Sequence, residues 1–167
     1  VKVRISKEDC HSATIMAQDT LKLLEMMGIS PRLENDKQSR LAANIHGFKA
    51  EFVVARMFGC SLPTINIVTD GGKDLWIDGV SVDVKFSNRE YGDLIFDNAD
   101  KFAADLAILV GKITDEEMRV NGWIGRTKFL QLCSEHDYGY GKRLVMKHDE
   151  LLPIGSLWEK LTERRMS

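Results

Sequence analysis

Between Gln38 and Gly59, apolar residues fall at Leu41, Ile45, Phe48, Phe52 and Ala55, the spacing of a helix with one buried stripe. Before it, Ser6 followed three residues later by Asp9 reads as a capping box opening a helix to about Met27. Ile15, Leu21, Leu24 and Met27 are among its apolar positions, and Gly28 and Pro31 end it. Past Cys60 the period changes. Ile65 to Val68 reads as a short strand, and apolar residues then alternate with polar ones on both sides of Asp78-Gly79. A polar connection and a helix through about Asp97 to Ala104 lead to Leu106–Val110, whose unbroken apolar run reads as a sheet centre. Thr127 caps a helix reaching Cys133, and Ser156-Leu157-Trp158-Glu159 opens the last helix, with Arg164 and Arg165 favourably placed near its C-terminus. Alternating helices and strands predict an α/β class with a mixed sheet. At 167 residues, one domain spanning 1–167 is expected.

The Asp-Gly pair sets a register. A two-residue loop there pairs Ile77 with Val80, Trp76 with Ser81, Leu75 with Val82 and Asp74 with Asp83. Side chains alternate along a strand, so Leu75, Ile77, Val80, Val82, Val84 and Phe86 share one face. Asp74, Trp76, Ser81, Asp83 and Lys85 share the other. Opposed like charges destabilise a sheet by up to about 1 kcal/mol when exposed, and by more when water is scarce. Compensation comes from Lys85, from a divalent cation between the carboxylates, or from plain solvation of a surface hairpin. Trp76 either lines a groove on this face or packs beneath a helix.

A third acid lies upstream. Glu51 sits roughly 80° from the centre of the buried stripe, where a side chain skirts the interface. It is either a member of the charged patch or an ordinary flanking acid near Lys49 or Arg56. Gly47, one turn earlier, costs about 1 kcal/mol relative to alanine and suggests close approach of another element.

The helix segment Gly47-Phe48-Lys49-Ala50-Glu51, then Asp74 after Asp70-Gly71-Gly72-Lys73, then Asp83-Val84-Lys85, resembles the PD-(D/E)xK nuclease superfamily. Asp105-Leu106-Ala107-Ile108-Leu109-Val110-Gly111 is similar to that fold's next core strand, and Gly122-Trp123-Ile124-Gly125-Arg126 to the strand often seen after it. The likeness covers roughly 38–135. Lys73, not proline, precedes Asp74. The resemblance implies a restriction-endonuclease-like αβββαβ core, with a central mixed sheet flanked by helices and an added N-terminal and C-terminal helix. It also implies a Mg²⁺- or Mn²⁺-dependent endonuclease acting on double-stranded or branched DNA, and it allows a homodimer. Asp74, Asp83 and the Val84 carbonyl would hold the metal. Glu51 would hold a second ion or orient a water, and Lys85 would position the attacking water or stabilise the transition state. Asp70 competes with Asp74 for the metal role, and the register favours Asp74. The rival reading is a non-catalytic DNA-binding or assembly protein that retains the nuclease scaffold. A third is hydrolysis of a small nucleotide.

Composition narrows the field only in part. Hydrophobic residues make up 44% and charged residues 29%, which argues against disorder. No apolar run reaches a membrane span and no signal-peptide pattern opens the chain, so an intracellular, cytoplasmic protein without a membrane partner is expected. Cys10, Cys60 and Cys133 lack metal or disulfide spacing and are expected to be reduced packing residues. His11, His46, His136 and His148 are too scattered for a zinc motif, and the loop at Asp70 lacks the GxxxxGKS/T spacing of a phosphate loop. A net charge of −2 gives no global field for nucleic acid, so phosphate contacts must be local. Lys142, Arg143 and Lys147 are the first candidates, following the loop Tyr138-Gly139-Tyr140-Gly141, which could contact a sugar-phosphate backbone and offer a ring for stacking; Arg89 and Arg126 are further ones. Each also reads as an ordinary surface charge.

Overall fold

Two sheets and four helices organise the chain in the computed structural model, which describes residues 1–28, 34–65 and 72–167. The elements in order are β1 (Lys2–Arg4), α1 (Lys7–Met26), α2 (Glu34–Phe58), β2 (Leu75–Ile77), β3 (Val80–Ser87), β4 (Asp93–Phe96), β5 (Leu106–Lys112), β6 (Glu117–Gly125), α3 (Arg126–Leu132), β7 (Ser134–Asp137), β8 (Lys142–Lys147) and α4 (Ile154–Met166). Single 3-10 turns sit at Ala99–Lys101 and His148–Glu150. The larger sheet has the order β1-β6-β5-β3-β2, and β4-β8-β7 form the smaller. β3 runs parallel to β5, whereas β2 with β3, β5 with β6 and β1 with β6 are antiparallel. The class is therefore mixed α/β, as expected.

The hairpin forms in the expected register, with Leu75 opposite Val82, Trp76 opposite Ser81 and Ile77 opposite Val80. Positive φ at both Asp78 (51°) and Gly79 (78°) is the backbone signature of the mirror-image turn whose twist suits a hairpin. Arg165 of α4 clamps this turn from outside, donating to both Asp78 carboxylate oxygens.

Hydrophobic burial occurs on both faces of the larger sheet. On one, Ala50, Val53, Val54 and Phe58 of α2 pack with Leu75, Ile77, Val82, Val84, Ile108 and Val110, joined by Leu157 and Leu161 of α4. On the other, Ala107, Leu109 and Ile124 meet Leu94, Phe96, Phe102, Phe129 and Met146. The row facing the sheet is thus Ala50–Val54–Phe58, one flank round from the Leu41–Ile45–Phe48–Phe52 stripe. The helix has two apolar flanks because it has two neighbours. The bidentate pair from Arg56 to the buried Asp9 fastens α2 to α1.

Several local expectations are corrected. Residues 97–104 hold only the 3-10 turn capped by Asn98, because Phe96 and Phe102 stack at 4.3 Å and both must enter the core. The connection before it is not merely polar: it contains β4, which pairs with β8. Gly125, not Thr127, is the N-cap of α3, since β6 runs straight into the helix. Pro153 precedes α4, and the Ser156 hydroxyl instead accepts from Trp123 Nε1 and donates to the Pro153 carbonyl. Ser6 caps α1 through the Asp9 N–H as expected, whereas the Asp9 carboxylate goes to Arg56. Among the described residues, a Cβ on Gly47 would meet nothing within 4 Å, so no described element approaches closely there. Pro31 and most of the strand expected at 65–68 lie outside the described residues; Ile65 itself is in no strand.

Candidate active site

Asp83 and Lys85 project from β3 onto the face of the larger sheet opposite α2, because they alternate with Val82 and Val84. Lys85 Nζ lies 2.8 Å from Asp83 Oδ1, and Asp83 is 1% exposed. The ammonium also lies 4.9 Å from the Phe96 ring centroid, so an aromatic face supports the cation from the second sheet. Gly72, at φ +79°, lies against this carboxylate: a Cβ there would stand 3.9 Å from Asp83 Oδ2 and 3.4 Å from the Lys101 carbonyl.

Asp74 lies just before β2 and is half-buried. Its N–H donates to the Val82 carbonyl, and its Oδ2 accepts from the Val84 N–H at 2.7 Å. The carboxylate therefore continues the ladder beyond the end of β2. A residue's N–H and C=O leave a strand on the same side, so the Val84 carbonyl is directed to this edge too.

Glu51 approaches from the other side of the sheet. α2 runs antiparallel to β3: His46 stacks on Phe86 at 5.1 Å, and at the far end the Cys60 thiol feels Asp78 in the hairpin turn. Burial chiefly, and that charge, push the thiol above its ordinary 9.0. Glu51 is five residues from His46, about 7.5 Å along the helix. That equals about two strand residues, which places Glu51 level with Val84. Lys49 reaches the Asp115 carbonyl at 2.8 Å on the β5–β6 side, and Glu51 is about 160° from it round the helix. It thus belongs to the flank nearest β2 and Asp74, with open space at Gly47 one turn before it. The cations of the ordinary surface-acid reading, Lys49 and Arg56, bond Asp115 and Asp9 respectively.

Among the described residues, no three His, Cys, Asp or Glu side chains form a metal-sized cluster. Glu51, Asp74 and Asp83 are therefore not brought together as one metal-holding cluster. The Val84 N–H draws Asp74 to the sheet edge, while Lys85 draws Asp83 along the face. As a donor set, two carboxylates with a carbonyl directed to the same edge are hard oxygens and fit Mg²⁺ or Mn²⁺ in chemistry. Asp70 lies outside the described residues. His46 is on the α2-covered face, and burial, with Lys112 and Lys49 nearby, lowers its pKa below 6.5. Asp105 braces the frame, accepting at Oδ2 from both the Ser81 N–H and hydroxyl, and these bonds hold its pKa below 3.8.

The cations expected to contact phosphate have separate fates. Lys142 pairs with Glu135 at 3.6 Å, and Arg143 with Asp97 at 2.6 Å. Arg126 donates to the Phe102 carbonyl, so it serves the fold. Lys147 and Arg89 are exposed. Arg89 lines a cleft of about 290 Å³ with Lys85, Ser87, Asn88 and Tyr138. A second cleft, about 440 Å³, is walled by Pro63, Thr64, Lys73, Asp74 and Trp76. Trp76 is 57% exposed instead of packing beneath a helix, with Lys73 Nζ 5.6 Å from its ring centroid. Lys73 was not among the expected site residues, whereas Tyr138 belongs to the tyrosine and glycine loop expected to offer a ring. Strand alternation put Trp76 on the charged face, whereas the position of Tyr138 depends on the smaller sheet.

No family model, curated protein or solved structure matches the chain. No described helix is long and apolar enough to cross a membrane.

Proposed function

We propose that this chain is a divalent-metal-dependent DNA endonuclease on a restriction-endonuclease-like core. The observation that carries the reading is the patch on β3: Asp83 buried against Lys85, with Asp74 docked on the N–H of the residue between them. The parallel pairing of β3 with β5 and the packing of α2 on the hairpin support the same core. Asp74, Asp83 and the Val84 carbonyl would hold Mg²⁺ or Mn²⁺, with Glu51 level with them on the helix. When bound, the ion supplies charge neutralisation and a more acidic water.

The protein's own groups do the rest. Lys85 directs its ammonium toward a phosphate oxygen, where charge builds as water adds to phosphorus and the bond to the leaving sugar oxygen breaks. The leaving oxygen takes up a proton, giving one phosphomonoester end and one hydroxyl end. Asp83 holds Lys85 in place, and Asp105 with Ser81 fixes the β3–β5 junction beneath them. DNA as substrate follows from the family resemblance.

The second reading, a non-catalytic DNA-binding or assembly protein on the same scaffold, draws on the direct ion pair between Asp83 and Lys85 at 2.8 Å. A supercoiled-plasmid nicking assay separates the two. Mg²⁺-dependent nicking that is lost in both Asp83→Ala and Lys85→Ala supports the enzyme. Binding unchanged by chelator, with no DNA form cut, supports the scaffold.

A further inference from the structure

We infer that the DNA engaged by this site is single-stranded where it crosses the acidic patch, with Trp76 and Tyr138 as base-stacking platforms on either side. The inference rests on the nuclease reading for the phosphate at the centre, and it adds the substrate class. Two clefts flank the Asp74–Asp83–Lys85 patch, one containing Asp74 and the other Lys85. Each pairs an exposed aromatic ring with a cation: Trp76, 57% exposed, with Lys73, and Tyr138, 42% exposed, with Arg89.

Trp76 shares the face of Ser81, Asp83 and Lys85, since it stands opposite Ser81 in the hairpin. From the level of Ser81 to Lys85 the strand covers about 13 Å; Ser81 and Asp83 are buried along it, so a chain joining the two clefts follows the edge of β3 beyond its last pair with β2, past Asp74, to Lys85. A ring exposed in such a groove stacks on a base whose face is open, and duplex bases hide their faces in the helical stack. The adjoining cations meet the phosphates. Lysine or arginine alone would serve duplex and single strand alike; the two exposed rings favour the single strand. Strand ends, flaps and single-stranded tracts all present this chemistry.

The test is fluorescence anisotropy in chelator, with a labelled oligothymidine of about ten nucleotides and a blunt duplex of equal length as probes. Chelator prevents cleavage, so binding is read independently of the nuclease activity. Trp76→Ala should weaken single-strand binding about tenfold, Tyr138→Ala should weaken it severalfold, and Trp76→Phe should retain most of the affinity. Duplex binding should change less than about twofold. Trp76 is exposed, so its truncation leaves both cores intact, and circular dichroism checks the fold of each variant. Equal losses on the two probes, undiminished single-strand binding by Trp76→Ala, or no binding by the wild-type chain at about 10⁻⁴ M would each overturn the inference. Ring-dependent single-strand binding by a wild-type chain that nicks no DNA form in Mg²⁺ would count against the nuclease reading alone.

Discussion

Replacing Lys85 with methionine keeps an unbranched stem beside Phe96 and removes the charge that faces Asp83. The Asp83 carboxylate is almost wholly buried, at 1% side-chain exposure, whereas Lys85 is 37% exposed. Breaking a buried pair from one side costs about 3–5 kcal/mol, because the remaining charge loses its counter-charge. Partial exposure of the lysine lets water replace some of it, so the lower end, about 3 kcal/mol, is expected. With a urea dependence of about 2 kcal/mol per molar for a domain of this size, the unfolding midpoint should fall by about 1.5 M. Urea is the denaturant of choice, since guanidinium salt would screen the pair. The double variant Asp83→Leu/Lys85→Met removes both charges and should be more stable than Lys85→Met alone. A loss below about 1 kcal/mol, the level of an exposed ion pair, would refute the burial argument. So would a double variant no better than the single.

Ser81→Ala removes the hydroxyl bond that helps hold the Asp105 pKa below its ordinary 3.8. A depressed carboxylate pKa adds stability above the unfolded value and loses it as pH falls through the folded value. The wild-type advantage over Ser81→Ala that stems from this carboxylate should therefore be full above about pH 5 and shrink on acidification, as read by urea melts across pH. Advantage growing toward acid would contradict the assignment. Gly47→Ala fills open space in the interior of α2, so it should stabilise the fold by about 1 kcal/mol, a rise of about 2–4 °C in melting temperature. Destabilisation would show that another element does pack against Gly47.

Local rules made the hairpin legible from the turn to Leu75 and Val82: Asp78-Gly79 demands positive φ at both positions, and that turn dictates the three pairs formed. The helix start at Ser6 was legible for the same reason, since one hydroxyl meets one N–H. The smaller sheet was not legible. Asp93–Phe96 is only four residues long and its partner lies some fifty residues downstream, so neither periodicity nor turn chemistry announces it. That sheet carries Phe96 to Lys85 and Tyr138 to the cleft, so the loop of Tyr138 was readable as a contact but its place beside Lys85 was not. Thr127 and Ser156 resembled helix caps, yet a continuous strand and the Trp123 indole decided those positions. Glu51 shows a mixed outcome: its place beside the buried stripe was readable, whereas its flank required knowing that Lys49 reaches Asp115 across the sheet.

The most direct test of the central claim is the rate at which Asp74→Asn converts supercoiled plasmid to open circles in Mg²⁺. Asparagine keeps an oxygen for the Val84 N–H, so the sheet edge is preserved while the carboxylate charge is removed. Nicking by the wild-type chain that chelator abolishes, together with a loss of about 100-fold or more in Asp74→Asn, is the predicted result. A folded Asp74→Asn protein that nicks at the wild-type rate would contradict it.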